Sequence, residues 1–157
     1  MIRAATEKDV HRINESMIFI MNESVPLSEG DLQNNDRFDE NIPFLCDVIN
    51  AQDGIILLSE TDNDISGCLI AYGKLIPEGC PFYRKRNILE IEQLFVMPAY
   101  RKRGIAKALL ERVEQWGKEN GFDEIALEVY KNNKHAKKLY DSSGYAVAKE
   151  KRNKRLH

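Results

Sequence analysis

Two acids, Glu90 and Glu92, stand two apart in an otherwise apolar run, Ile88-Leu89-Glu90-Ile91-Glu92-Gln93-Leu94-Phe95-Val96. On a strand this spacing puts both carboxylates on one face, provided no bulge intervenes. Acids on such a strand are costly to bury without a purpose, so they are candidates for proton transfer; the plainer alternative is a solvated or ion-paired strand acid. A partly desolvated glutamate has a raised pKa, better matched to work near neutral pH. The strand runs directly into Met97-Pro98-Ala99-Tyr100-Arg101-Lys102-Arg103-Gly104-Ile105-Ala106-Lys107. A basic, glycine-containing loop that opens a helix presents several backbone N–H groups at the positive end of the helix dipole, which is an anion site suited to phosphate or pyrophosphate. Gly104 lets backbone approach such a group closely and Ala106 is too small to block it. Arg101, Lys102, Arg103 and Lys107 add positive field.

These groups need elements to hold them, and the rest of the chain supplies them. Thr6-Glu7-Lys8-Asp9 reads as a helix start, followed by Val10, Ile13, Met17 and Ile20 at spacings of three and four, up to Val25-Pro26. A polar loop spans 24–37 and a second helix about 39–51. Ile55 to Glu60 and Ile65 to Ile76 pair as a hairpin across Thr61-Asp62-Asn63-Asp64. An irregular loop then leads to the strand Ile88 to Met97. A helix from Gly104 to Asn120, with Ile105, Leu109, Val113 and Trp116 on one face, closes at Gly121. Then come a strand from Glu124 to Tyr130, a helix capped by Asn133 and ending near Ser143-Gly144, and a last strand from Tyr145 to Lys149. This order predicts an α/β (α+β) fold in one domain, 1–157, with a mixed sheet flanked by helices.

Composition narrows the chemistry. At 157 residues, 43% apolar and 31% charged, the chain can bury a core. Its start carries charges where a signal peptide needs an apolar run, and no run approaches the roughly 20 residues of a membrane span; a cytoplasmic protein with no membrane partner is expected. Cys46, Cys68 and Cys80 form no C-x-x-C pair, and His11, His135 and His157 make no ligand spacing, so no metal is expected. The net charge of −2 is unevenly placed. Between Glu23 and Asp47 seven acids face one base, Arg37, whereas from Lys131 onward nine Lys/Arg face two acids. The pattern is either two solvated faces, or an acidic mouth for a cationic substrate beside a basic rim for a polyanionic cofactor. The basic tail has no interleaved aromatics, which argues against nucleic acid.

The loop Arg101-Lys102-Arg103-Gly104-Ile105-Ala106 matches the pattern Q/R-x-x-G-x-G/A at Arg101, Gly104 and Ala106. Downstream, Asn133-Lys134-His135-Ala136-Lys137-Lys138-Leu139-Tyr140-Asp141-Ser142-Ser143-Gly144-Tyr145 fits N-x-x-A-x-x-L-Y-x-x-x-G-[FY]. Together these segments resemble the GNAT N-acetyltransferases. The resemblance implies a mixed sheet of about six strands with four helices, in which the fourth and fifth strands splay apart. Acetyl-CoA would be the cosubstrate. Its pantetheine arm would lie in the splay along Leu94, Phe95 and Val96, and its pyrophosphate on residues 101–107. Asn133 and Ala136 would border it and Tyr140 would sit near its sulfur as general acid. One of the lysines 134, 137 and 138 would meet the 3′-phosphate, unless they form a solvated face.

The family offers three precedents for the general base: Glu90, Glu92 and Glu128. The choice stays open among them, with water as a fourth option. The implied reaction is acetyl transfer to a primary amine, either a small cationic molecule or a protein or peptide amine; a non-catalytic acyl-CoA-binding module is the alternative from another class. Only 12 residues follow Tyr145, so the usual final hairpin is expected to be truncated, its last strand absent, very short or supplied by another chain. An exposed sheet edge would favour a homodimer.

Overall fold

The computed structural model describes residues 1–35, 39–74 and 81–157. Asp36, Arg37, Ile76 and Cys80, which the sequence reading used, lie outside the described residues.

Five strands form one mixed sheet in the order β1 (Ile2–Ala4), β2 (Gly54–Thr61), β3 (Asp64–Lys74), β4 (Ile88–Val96) and β5 (Glu124–Leu127). The first three pairings are antiparallel and β4–β5 is parallel, as expected for strands joined through a helix. The helices are α1 (Val10–Ser24), α2 (Asn41–Asn50), α3 (Ile105–Glu119) and α4 (Lys134–Ser142).

Alternation along β2 and β3 divides the core in two. Ile56, Leu58, Cys68 and Ile70 face Val10, Ile13, Met17 and Ile20 of α1 and Leu45 and Val48 of α2. Ile55, Leu57, Leu69 and Ala71, with Leu89 and Ile91 of β4, face Leu109, Leu110 and Val113 of α3. α1 and α3 therefore bury the apolar stripes that their spacing predicted. Gly67 on β3 lets α3 dock closely: a Cβ there would stand 2.8 Å from Ile105 Cγ2 and 3.2 Å from Leu109 Cδ1. The left-handed Gly121 (φ 76°) closes α3, with Phe122 N donating to Gly117 O at 3.0 Å.

Three expectations need correction. The sheet has five strands among the described residues, and β1 was missed because three residues carry no readable alternation. The strand expected at Tyr145–Lys149 does not form. Left-handed Gly144 (φ 86°) turns the chain back, Tyr145 N donates to Tyr140 O at 3.0 Å, and the Tyr145 hydroxyl donates to Glu114 at 3.0 Å. With its ring anchored against the second core cluster, Tyr145 cannot start a strand alongside β5. Finally, β5 ends at Leu127 instead of Tyr130, which is where its pairing with β4 stops.

No helix among the described residues is long and apolar enough to cross a membrane, and no cluster of three or more His, Cys, Asp or Glu among them could hold a metal.

Candidate active site

The site begins with a parting of strands. β4 pairs with β5 only from Ile88↔Glu124 to Ile91↔Leu127, whereas its pairing with β3 continues to Gly67↔Val96. Beyond Ile91, β4 turns its β5-side backbone edge to an open wedge. A peptide-like chain entering there would meet strand hydrogen-bonding groups along Leu94, Phe95 and Val96. The Phe95 side chain is buried under α1 and α2, and Leu94 packs on the α3 side.

The parting coincides with a bulge. Ile70 pairs with Gln93 and Ala71 with Ile91, leaving Glu92 without a partner on β3. The extra residue breaks strict alternation, as bulges do. Glu92 receives a hydrogen bond from the Tyr72 hydroxyl at 2.9 Å, and the next residue, Gln93, contacts Met21 Sδ of α1 at 3.9 Å. Glu90 lies opposite Tyr72 in the register and pairs with Lys74 Nζ at 3.3 Å. Glu90 and Glu92 thus share a site despite the bulge. Glu128 is exposed past the end of β5, where its charge and that of Asp31 act on Tyr130.

At the top of the wedge, residues 98–100 make one 3₁₀ turn, and Lys102 (φ 61°) and Gly104 (φ 78°) take left-handed conformations that swing the chain into α3. Gly104 is required by this conformation and not by crowding, because a Cβ there would touch nothing. The first helical bond is Ala108 N to Gly104 O at 3.0 Å, so the N–H groups of Ile105, Ala106 and Lys107 precede any helical acceptor and point out of the helix start. Such a cradle fits a pyrophosphate.

The basic side chains divide by role. Arg101 is spent on the protein: Nε donates to Val96 O at 3.0 Å, and the two terminal nitrogens hold Glu23 of α1 at 2.8 and 2.6 Å. That fork holds the Glu23 carboxyl below its usual range. Arg103 donates to Ala99 O at 3.1 Å and lies over the Tyr100 ring. Lys102 is exposed, and Lys107 stands 3.9 Å from Glu111.

On the other side of the wedge, Asn133 caps α4: its side-chain oxygen accepts from Ala136 N at 3.1 Å. Tyr140, one turn on, packs its ring edge-on to Tyr145 with centroids 5.9 Å apart. Burial raises the Tyr140 phenol, so it is protonated at neutral pH and able to donate. Lys131, Lys134, Lys137 and Lys138, with Asp141 and Ser142, line an open hollow of about 630 Å³.

The segment after α1 roofs these parts. Glu29, in a left-handed conformation (φ 53°), accepts from Asn132 at 2.9 Å and pairs with Lys131 at 3.0 Å, while Arg155 of the tail donates to its carbonyl. Two acids of the expected acidic mouth, Glu23 and Glu29, are therefore counter-ions of Arg101 and Lys131. Beside them Ile18, Met21 and Asn22 of α1 and Asp31, Leu32 and Gln33 line a cavity of about 210 Å³.

The acetyltransferase (GNAT) family profile matches residues 17–145. The chain belongs to the GNAT acetyltransferase family. The GNAT relatives include aminoglycoside N(6')-acetyltransferase type 1 of Salmonella typhimurium, 33% identical over 58 residues, which are 37% of this chain and 40% of that protein; this chain thus spans well under half the length of that relative. Another is bovine thialysine N-epsilon-acetyltransferase, 28% identical over 149 residues, covering 92% of this chain and 82% of that protein. Among solved GNAT-like structures, a point mutant of the BH1408 protein of Bacillus halodurans has a TM-score of 0.89 at 22% identity, covering 100% and 99% of the two chains. The aminoglycoside acetyltransferase AAC(6')-Iy in complex with CoA has a TM-score of 0.75 at 19% identity, covering 99% of this chain and 93% of that one.

The loop, the cap, the tyrosine and the carboxylates were named from the sequence. The role of Tyr72 and the pairings of Glu23 and Glu29 were not, since their partners lie 20, 78 and more than 100 residues away. Local spacing carries no signal of such pairs.

Proposed function

We propose that the protein moves an acetyl group from acetyl-CoA to the primary amine of a small cationic acceptor. The carrying observation is that β4 loses its β5 partner after Ile91 and then leads into a helix start whose first N–H groups precede any helical acceptor. The cosubstrate, when bound, offers a thioester carbonyl to a free amine and leaves as a thiol. Leu94, Phe95 and Val96 pair with its arm through their backbone. The N–H groups of residues 101–107 hold its pyrophosphate, with Lys102, Arg103 and Lys107 adding field, while Arg101 shapes the loop. Asn133, whose amide nitrogen the cap does not use, and Ala136 border the arm.

An acceptor amine arrives as an ammonium ion and must lose a proton. Glu92 is the base in this reading, taking the proton at its carboxylate directly or through one water. Glu90 is engaged with Lys74, and Glu128 is exposed just past the end of β5. Tyr140 holds the phenolic proton for the departing sulfur. The cavity near Met21 supports a small acceptor: about 210 Å³ falls below the ~300–1,000 Å³ of sites for drug-sized ligands. Asp31 on its rim suits a second positive group, and the relatives named for amine substrates accord with such an acceptor. Homodimerisation and a cytoplasmic location belong to the same reading, as does one catalytic domain over the whole chain.

The test is calorimetric titration with acetyl-CoA at low and moderate salt, followed by free-thiol release across a panel of diamines, amino acids, aminoglycosides and peptides. Micromolar acetyl-CoA binding that weakens with salt, and turnover highest with small diamines, is the expected result. Absence of acetyl-CoA binding would overturn the reading. With diamines as acceptors, Asp31→Asn is expected to raise acceptor KM about tenfold with acetyl-CoA KM unchanged, the loss of one charge-assisted contact.

A further inference from the structure

The bulge leaves Glu92 unpaired on the β3 side, so the ladder does not orient its side chain. What holds it is Tyr72. The Tyr72 hydroxyl donates to Glu92 Oε2 at 2.9 Å, across the register gap that the bulge creates. Tyr72 is itself fixed from the other side: the Phe44 ring of α2 meets it edge-on, with centroids 5.9 Å apart and planes at 83°. We propose that Tyr72 is the positioning residue of the reaction, orienting the Glu92 carboxylate to receive the acceptor's proton. The inference rests on Glu92 being the base.

The surroundings leave Tyr72 this task. The charges acting on its phenol are those of Glu92 and Glu90, and Lys74 of β3 is paired with Glu90. The neighbour from α2, Phe44, does not titrate, nor does Met21 of α1, which meets Gln93 beside Glu92. Burial together with the hydrogen bond to Glu92 pushes the Tyr72 phenol up to about 12, so it remains a donor wherever the enzyme works. A phenol that stays protonated keeps donating to Oε2, and the other Glu92 oxygen, Oε1, is left for the amine or its water.

Tyr72→Phe removes the hydroxyl and keeps the ring that packs on Phe44. In steady-state assays with the best acceptor from the panel, kcat/KM is expected to fall about tenfold, the loss of one hydrogen bond to a charged group. The loss is expected in kcat, with the acceptor KM little changed. KM for acetyl-CoA and the melting temperature stay unchanged, and in a Glu92→Gln background the Tyr72→Phe effect disappears. Two results would overturn the inference: a Tyr72→Phe enzyme with the wild-type rate, or an equal loss in both backgrounds. Failure of the underlying reading looks different. Glu92→Gln would then retain the wild-type rate, which removes the base assignment and this inference with it. A slow Glu92→Gln enzyme beside an unaffected Tyr72→Phe enzyme removes the inference alone.

Discussion

Glu90 and Glu92 show how two like residues on one strand acquire different tasks. Both face Tyr72, but Glu90 sits within the ladder with a lysine partner, whereas Glu92 sits outside it with only a hydroxyl. In our reading Glu90→Gln leaves kcat within about threefold of wild type, because the exposed Lys74 that it releases regains water. Glu92→Gln is expected to lower kcat by about a hundredfold or more, the usual scale of a lost general base; single-turnover thiol release measures both. Arg101 carries a second residue-scale prediction. As a phosphate ligand it would be replaceable by lysine, another point charge. As a fork that joins Val96 O and both oxygens of Glu23 it is not. Arg101→Lys is expected to raise KM for acetyl-CoA about fivefold with kcat little changed, and an unchanged KM would mean that the fork is dispensable.

Elements were legible in the sequence to the extent that they repeat. The stripe Val10, Ile13, Met17 and Ile20 has helical period and buries as predicted; Ile105, Leu109 and Val113 likewise define how α3 docks. β4 was legible as a strand. Its bulge was not, because a bulge depends on the register of β3, 20 residues upstream, and leaves no mark in local spacing. β1 was illegible for its shortness, and the Tyr145–Lys149 strand was misread because its alternation says nothing of the Tyr145–Glu114 hydrogen bond that draws it elsewhere. Gly67 tests the link between elements and site. In Gly67→Ala the new Cβ would press on Ile105 and Leu109 and shift the start of α3, which carries the cradle. A loss of about 1–3 kcal/mol of stability is expected, together with weaker acetyl-CoA binding. Thermal denaturation and calorimetry on one sample check both.

At the scale of the whole molecule, the N-terminus is stitched to the hairpin by a charged knot. Arg3 forks onto Asp9 at 2.8 Å through both terminal nitrogens and donates from Nε to Glu60 at 2.8 Å, while Arg12 also reaches Glu60 at 3.2 Å. The hydrogen bonds from Arg3 hold the Asp9 and Glu60 carboxyls below their usual values. A carboxyl depressed in the folded state contributes stability that is fully present above its unfolded pKa, near 4, and is lost as pH falls through the folded value. Melting temperature is therefore expected to drop steadily from about pH 5 downward. Arg3→Met should be less stable at pH 7 by about 1–2 kcal/mol, since Arg3 is one-third exposed, and should show a shallower acid dependence. Parallel curves for the two proteins would assign the acid sensitivity elsewhere.

The last turn of α1 and the loop that follows it are both pinned to the opposite half of the molecule: Glu23 of α1 to Arg101 beyond β4, and Glu29 of the loop to Lys131 and Asn132 beyond β5. Acceptor loops are the parts an engineer would exchange to redirect an enzyme of this fold. Here the exchange would not be modular. A transplant of the α1 end and its loop without acids at these two positions would strand Arg101 and Lys131, so a graft aimed at a new amine would alter donor binding too, unless both cognate basic residues travelled with it.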